Sequence, residues 1–495
     1  MSATLAAPNG TEQRVLPPVA WPLVATVIVA KLVVTLPFLD RYGWHRDELY
    51  LLSSARHLQG AYVDFPAVAP LIGRAVVEVF GPSLYALRLS AIAASCVTIV
   101  LTALIARELD GGRTAQLVAV VAFACTPLAL GAPVLFQPNS FDLLLWAAIL
   151  LLTARLLGTE NARLLPWLGL LAGLALATKW TSVWLLVGLV LGGLFSARAR
   201  AFARTPWLYL AVAIAALFLI PTVVWEMRHD WPSIEFASNQ NADTRADESR
   251  PEFLLNLVVR TGFFVAPLWI AGLVRLWRDP RYRPLAAAAV FVVVAFCAGG
   301  GRSYYPFPVF VVLFAAGGVA VERAAAARRW VLPAALAAGL AGLLSLPIAV
   351  PIVPRDRLAD TPIPDIRDDF GDETGWPELT RQVGAVARAD GATAVLASNY
   401  GEAGALDLYG GRDLPPVASG HLTYQYWRPE TKPGPIVTVG YGPADLAGAC
   451  RSFTVRARVG KIDRIGNEEV GRPIATCVPR ASLETMWPGI ANLDA

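Results

Sequence analysis

"YGWHRDELYL" (42–51) sets His45, Arg46, Asp47 and Glu48 a few residues after a run of apolar side chains. Four ionisable groups there need a reason, and the reason depends on what surrounds them. The chain has 495 residues, of which 55% are hydrophobic and 16% charged, and its mean hydropathy is +0.50. Such a composition belongs to a chain whose solvent is largely lipid. A spanning helix takes about 20 apolar residues. Runs of that kind cover 21–39, 83–106, 114–131, 139–157, 164–178, 181–197, 206–225, 253–274, 285–299, 304–321 and 330–353. The expected fold is a polytopic α-helical membrane protein with about eleven transmembrane helices. The first run is long, carries Lys31 and has no small-residue cleavage site, so it reads as a retained helix rather than a signal peptide.

Beyond residue 354 the character changes: 355–495 hold 19 of the 38 acids and have a net charge of −4, against +8 upstream. A polar domain therefore follows the membrane part, and nothing in either balance points to nucleic acid. Within 355–495, strands are expected at 393–398, 435–440 and 453–459, with a helix from Glu402 to Tyr409, which predicts an α/β or α+β domain. Gly401 and Gly404 invite a nucleotide-binding reading; a lid or acceptor platform is the plainer one, since a pair of glycines is a weak signal.

Arginines crowd alternate short loops, at 107–113, 155–163, 198–204, 275–283 and 323–329. By the positive-inside rule those loops are cytoplasmic. The N-terminal tail (1–20) is then inside, and the long first loop (40–82) and the domain 355–495 are outside. On that topology the unusual polar residues gather on one face: Asp47, Glu48 and Asp64; Gln137, Asn139 and Asp142; Lys179; Glu226, Arg228 and His229; Arg302. Interfacial snorkelling accounts for Arg228 and His229, and helix capping explains Asp142 as well as function does. Lys179 is harder to dismiss, because the chain has four lysines against 38 arginines. A loop carboxylate can serve as general base for an acceptor hydroxyl, and a cation such as Lys179 or Arg302 can stabilise a phosphate leaving group. Together they suit transfer from a lipid phosphate.

At these residues the chain resembles bacterial members of the glycosyltransferase-C superfamily, near the family-39 branch of protein mannosyltransferases and aminoarabinose transferases. The stretch "HRDELYLLSSARHLQGAYVDFPAVAPL" (45–71) is similar to the outer loop of that family, with Ala67 and Val68 interrupting its proline pattern. "FQPNSFD" (136–142), "LATKW" (176–180) and "GGRSYYPFPVFVVLFAAGG" (300–318) resemble its further motifs, Arg302 standing where lysine is usual. In the tail, 397–427 and 467–474 resemble the extracytoplasmic domain of a bacterial subgroup.

The resemblance implies a glycosyltransferase-C domain over 21–354 in a bacterial inner membrane, with its catalytic outer loop at 40–82 and an extracytoplasmic domain at 355–495. It implies Asp47 as base with Glu48 beside it, Lys179 and Arg302 on the donor phosphate, and Asp64, Asn139, Asp142, Tyr304 and Tyr305 around the substrates. The donor would be a polyprenyl-phosphate-linked sugar and the acceptor an extracytoplasmic glycan, lipid or protein, with inversion at the anomeric carbon. No nucleotide sugar is needed, and "GGGR" (299–302) opens no phosphate-cradling loop. Some superfamily members use a divalent metal ion; His45, Asp47, Glu48 and His57 include suitable donors, but their spacing fits no compact motif. The metal stays open. A transporter or lipid-linked sugar flippase is the alternative, although such proteins bind near the midplane and often show internal repeats; a scaffold without activity would not need the carboxylates and cations. Cys450 and Cys477 are the two cysteines outside the apolar runs, and on this topology both lie in an oxidising compartment, where a bridge between them is expected.

Overall fold

The computed structural model describes residues 15–461 and 464–494. Of the tail expected over 1–20, residues 1–14 lie outside that range. Each of the eleven apolar runs lies on helix. Six helices are long and apolar enough to cross a membrane, or up to eight if each of two bent pairs is one span, among the described residues. Three more apolar helices, Ala162–Leu176, Ser182–Leu194 and Arg283–Gly299, are shorter.

Two of the runs, 114–131 and 253–274, are bent. Arg113–Ala124 and Pro127–Val134 meet at 70°. Pro127 has no N–H to continue the first helix, and the Thr126 hydroxyl accepts from the Ala129 N–H at 3.2 Å to start the second. The Lys31 ammonium donates to the Ala129 carbonyl at 2.7 Å, so this membrane lysine, given no role by the sequence, secures the bend. Arg250–Arg260 and Phe263–Arg278 turn through 87° at Gly262, whose φ of +97° favours glycine.

The first loop folds into two helices, Arg46–Arg56 and Val68–Phe80. Beyond the bundle stands a five-stranded sheet of β1 (Ala394–Ala397), β2 (Val417–Ser419), β3 (Ile436–Val439), β4 (Cys450–Arg458) and β5 (Pro473–Pro479). Its order is β2-β1-β3-β5-β4, with β1 parallel to β2 and β3, and β5 antiparallel to β3 and β4. β2 and β5 were not expected from the sequence, nor was the helix Trp376–Ala389. Cys450 and Cys477 form a disulfide between β4 and β5, with α-carbons 5.5 Å apart.

The tail helix Tyr400–Tyr409 positions this domain. A Cβ on Gly404 would lie 2.8 Å from Leu49 Cβ, and one on Gly401 2.9 Å from Arg46 Cβ. The two glycines thus let this helix pack directly on Arg46–Arg56. Leu49, Tyr50 and Leu52 from the loop share one buried cluster with Trp376, Val395, Ala403 and Val437 from the tail. Burial of about 25 cal/mol per Å² of apolar surface makes such a shared core the main force joining the two parts.

Candidate active site

Asp47 and Glu48 open one helix yet face different surroundings. His45 caps that helix: its Nδ1 accepts from the Asp47 N–H at 3.2 Å, and its own N–H donates to Glu48 Oε2 at 2.9 Å. Glu48 is fully buried and takes two bonds from the Arg88 guanidinium, at 2.8 and 2.6 Å, and one from the Phe136 N–H at 2.7 Å. Arg88 also donates to the Gly43 carbonyl at 2.8 Å and to Glu373 at 3.1 Å. This clamp ties the loop, the helix Leu84–Glu108 and the tail together.

Asp47, by contrast, leaves 39% of its side chain exposed. Its Oδ2 accepts from Gln137 Nε2 at 3.0 Å and its Oδ1 from the Tyr400 hydroxyl at 2.8 Å. Gln137 Oε1 in turn accepts from Asn139 Nδ2 at 3.2 Å, and Asn139 Oδ1 accepts from the Lys179 ammonium. An unbroken chain of hydrogen bonds therefore runs from Asp47 to Lys179. The start of the helix Pro138–Thr159 supplies its two middle members, with Pro138 at the first helical position.

The Lys179 ammonium lies 4.5 Å from the centre of the Tyr305 ring and 5.9 Å from that of Tyr304, and the Arg260 guanidinium lies 5.7 Å from the Tyr304 ring. Arg302 is exposed and within electrostatic reach of Asp47, Lys179, Tyr304 and Tyr400. Asp64 approaches from the other side of the first loop. Its Oδ1 accepts from the Tyr50 hydroxyl at 3.0 Å, with Thr423 Oγ1 2.6 Å from that hydroxyl. Burial pushes the Asp64 carboxyl up to about 7, opposed by the Tyr50 hydrogen bond and helped by the charge of Asp47.

Not every polar residue marked in the sequence joins this group. Asp142 is buried and accepts from Trp146 Nε1 at 2.9 Å and the Ser182 hydroxyl at 2.6 Å, a tie between helices that leaves it beside Lys179. Glu226 accepts from the Ser233 hydroxyl, and His229 Nδ1 lies 2.7 Å from the Trp225 carbonyl. Arg228 is exposed and makes none of these contacts. Three participants carried no signal of their own: Arg88 inside an apolar run, Arg260 at a helix end, and Tyr400 in a tail motif recognised only as a subgroup mark.

Of the four metal donors only His45 Nδ1 and Asp47 Oδ2 approach each other, at 3.8 Å. Glu48 is saturated by Arg88 and two backbone N–H groups, while His57 lies 3.0 Å from the Ser53 carbonyl and stacks on Trp427. Among the described residues no three His, Cys, Asp or Glu side chains are grouped to hold an ion. The residues first named as ligands do not fit a metal centre.

The sequence model of the family described as dolichyl-phosphate-mannose-protein mannosyltransferase matches residues 64–225. No curated protein matches the chain. Among solved structures, that of ArnT from Cupriavidus metallidurans bound to undecaprenyl phosphate superposes with a TM-score of 0.59 at 15% identity, covering 96% of this chain and 98% of that one. ArnT in the apo state gives 0.58 at 14% identity with the same coverage. The chain has a glycosyltransferase-C fold. It is a multi-pass membrane protein. The stretch matched by the mannosyltransferase family carries Asp64, Arg88, Gln137, Asn139, Asp142 and Lys179 of this group of residues, whereas Asp47 and Arg302 lie outside it.

Proposed function

We propose that the protein is an inverting glycosyltransferase that moves a sugar from a polyprenyl phosphate to a hydroxyl of an extracytoplasmic glycan, lipid or protein. The observation that carries this reading is the hydrogen-bonded chain from Asp47 to Lys179, which puts a solvent-open carboxylate and a cation cluster in one site. The fold shared with ArnT, which binds undecaprenyl phosphate, supports the donor class. The topology read from the arginine-bearing loops sets the site and the tail outside, with the N-terminus in the cytoplasm.

In this mechanism Asp47 accepts the proton of the acceptor hydroxyl. The freed oxygen attacks the anomeric carbon on the face opposite the phosphate. The bond from that carbon to the phosphate oxygen breaks, its electron pair leaving with the polyprenyl phosphate, and the configuration inverts. Lys179, Arg302 and Arg260 bind the phosphate and stabilise the charge that develops on it, the use to which fixed cations in a poorly solvated site are best suited. Tyr304 and Tyr305 hold Lys179 and Arg260 over their rings. Asn139 orients the ammonium, Asp142 fixes the helices beneath it, and Asp64 lines the acceptor side. Glu48 acts on the reaction through position alone, since all of its bonding capacity goes to the clamp.

The test is the purified protein in liposomes given a panel of polyprenyl-phosphate pentoses and hexoses, with extracts of cell-envelope glycan, lipid and protein as acceptors. Release of polyprenyl phosphate coupled to labelled acceptor is expected for at least one pair. Movement of intact donor between leaflets without cleavage would overturn the reading in favour of a flippase.

A further inference from the structure

The tail domain does more than cover the site. Tyr400 opens its helix, with Asn399 as the N-cap: Asn399 Oδ1 accepts from the Glu402 N–H at 2.9 Å, and Glu402 Oε2 accepts from the Asn399 N–H at 3.3 Å. That box sets where the helix begins. Gly401 and Gly404 set how closely it lies on Arg46–Arg56. Together they deliver the Tyr400 side chain to the first turn of the loop helix, where Asp47 stands.

Three neighbours hold the ring. It stacks on Tyr50, with centroids 4.8 Å apart and planes at 25°, and on His421 at 5.2 Å and 5°. The Arg46 guanidinium lies 4.9 Å from its centre. His421 Nδ1 accepts from the Tyr400 N–H at 3.3 Å, and burial pushes the His421 imidazole down to about 4, so it stays neutral beside the ring. With the ring so placed, its hydroxyl donates to Asp47 Oδ1 at 2.8 Å. Gln137 holds the other oxygen at 3.0 Å. Two donors, one from the membrane bundle and one from the tail, thus fix the plane of a carboxylate that is otherwise open. A base must be held to its line of attack to be effective, and a small misplacement is costly.

We propose that Tyr400 is a positioning residue of the transfer reaction, through which the tail domain orients the Asp47 carboxylate toward the acceptor hydroxyl. This rests on the reading of Asp47 as base given above. A site with the tail undocked would keep its cations and lose the alignment of its base.

Tyr400→Phe keeps the ring stack and removes only the hydroxyl. The expected result is a fall in kcat of about 10- to 100-fold, the factor carried by a lost hydrogen bond to a charged group, with the donor KM and the melting temperature close to wild type. In an Asp47→Asn background the same substitution should cause no further loss, because the hydroxyl acts only through that carboxylate. An unchanged kcat, a change confined to KM, or a second full loss in the Asp47→Asn background would each overturn the proposal. The outcomes also separate the two readings. Transfer by the wild type that Tyr400→Phe leaves intact, while Asp47→Asn abolishes it, defeats the role of Tyr400 alone. No transfer by the wild type, or full transfer by Asp47→Asn, defeats both.

Discussion

The two ends of the helix bundle handle charge in opposite ways. At one end the arginine-bearing turns meet: Arg155 bonds Glu108 at 2.9 Å, the Tyr282 hydroxyl donates to the Glu108 carbonyl at 2.9 Å, Arg275 to the Leu109 carbonyl at 3.1 Å, and Arg198 pairs with Glu160 at 3.0 Å. These ties close helix ends; the Glu108 carboxylate among them is buried, whereas both members of the Arg198–Glu160 pair are exposed. At the other end the polar groups link far-separated segments into two connected sets, the buried clamp of Glu48, Arg88 and Glu373 and the open site of Asp47, Gln137, Asn139, Lys179 and Tyr400. The difference teaches that charge at a helix end is inexpensive where water reaches it, and that an enclosed carboxylate such as Glu48 draws its partners from several segments at once.

Several changes would sharpen or break this contrast. The largest effect is expected from Asp47→Asn, which should lower turnover about 10²–10⁴-fold, the contribution of a positioned base, while thermal unfolding stays near wild type. Retained turnover would remove Asp47 from the chemistry. Next comes Arg88→Ala in the clamp. It strands two buried carboxylates, Glu48 and Glu373, and should cost about 3–5 kcal/mol of stability, seen as a large drop in melting temperature in detergent. A small drop would mean that the clamp is less enclosed than its contacts imply.

A smaller effect concerns Asp64, whose carboxyl sits at about 7 against an ordinary 3.8. Because the folded-state value is raised, the group's contribution to stability is complete below about pH 4 and is lost as pH rises through about 7. The wild type should therefore lose stability across that window, and Asp64→Asn should flatten the slope; melting temperatures measured from pH 4 to 8 would decide, and parallel curves for the two proteins would refute it. The smallest effect is expected at the opposite end. Arg198→Ala removes an ion pair whose side chains are 44% and 55% exposed, so stability should change by less than about 1 kcal/mol and transfer activity not at all. A marked loss of activity there would break the distinction between the two ends.

Much of this is legible in the sequence. Helical runs can be read because each must satisfy its own backbone in lipid, which imposes length and apolar content on contiguous residues. Asp47, Lys179 and Arg302 could be singled out because charge beside such runs is rare. The bends at Thr126–Pro127 and Gly262 were less visible: both lie in apolar stretches that pass a composition test, and the kink depends on a proline and a glycine that bundles tolerate elsewhere. Strands β2 and β5 were missed because one is three residues long and the other carries a proline at each end.

The sequence by itself determined that the chain lives in lipid, that a more polar segment with strands and helices follows, and which carboxylates and cations are candidates for a site. It did so because composition and periodicity are local properties. What only the tertiary structure decided is the division of labour between neighbours. Asp47 and Glu48 are adjacent and nearly alike in chemistry, yet one meets Arg88, 40 residues away, and is sealed, while the other meets Tyr400, 353 residues away, and stays open. Successive residues on a helix point about 100° apart, so which partner each one meets depends on how distant segments pack around that turn, and no local pattern records it.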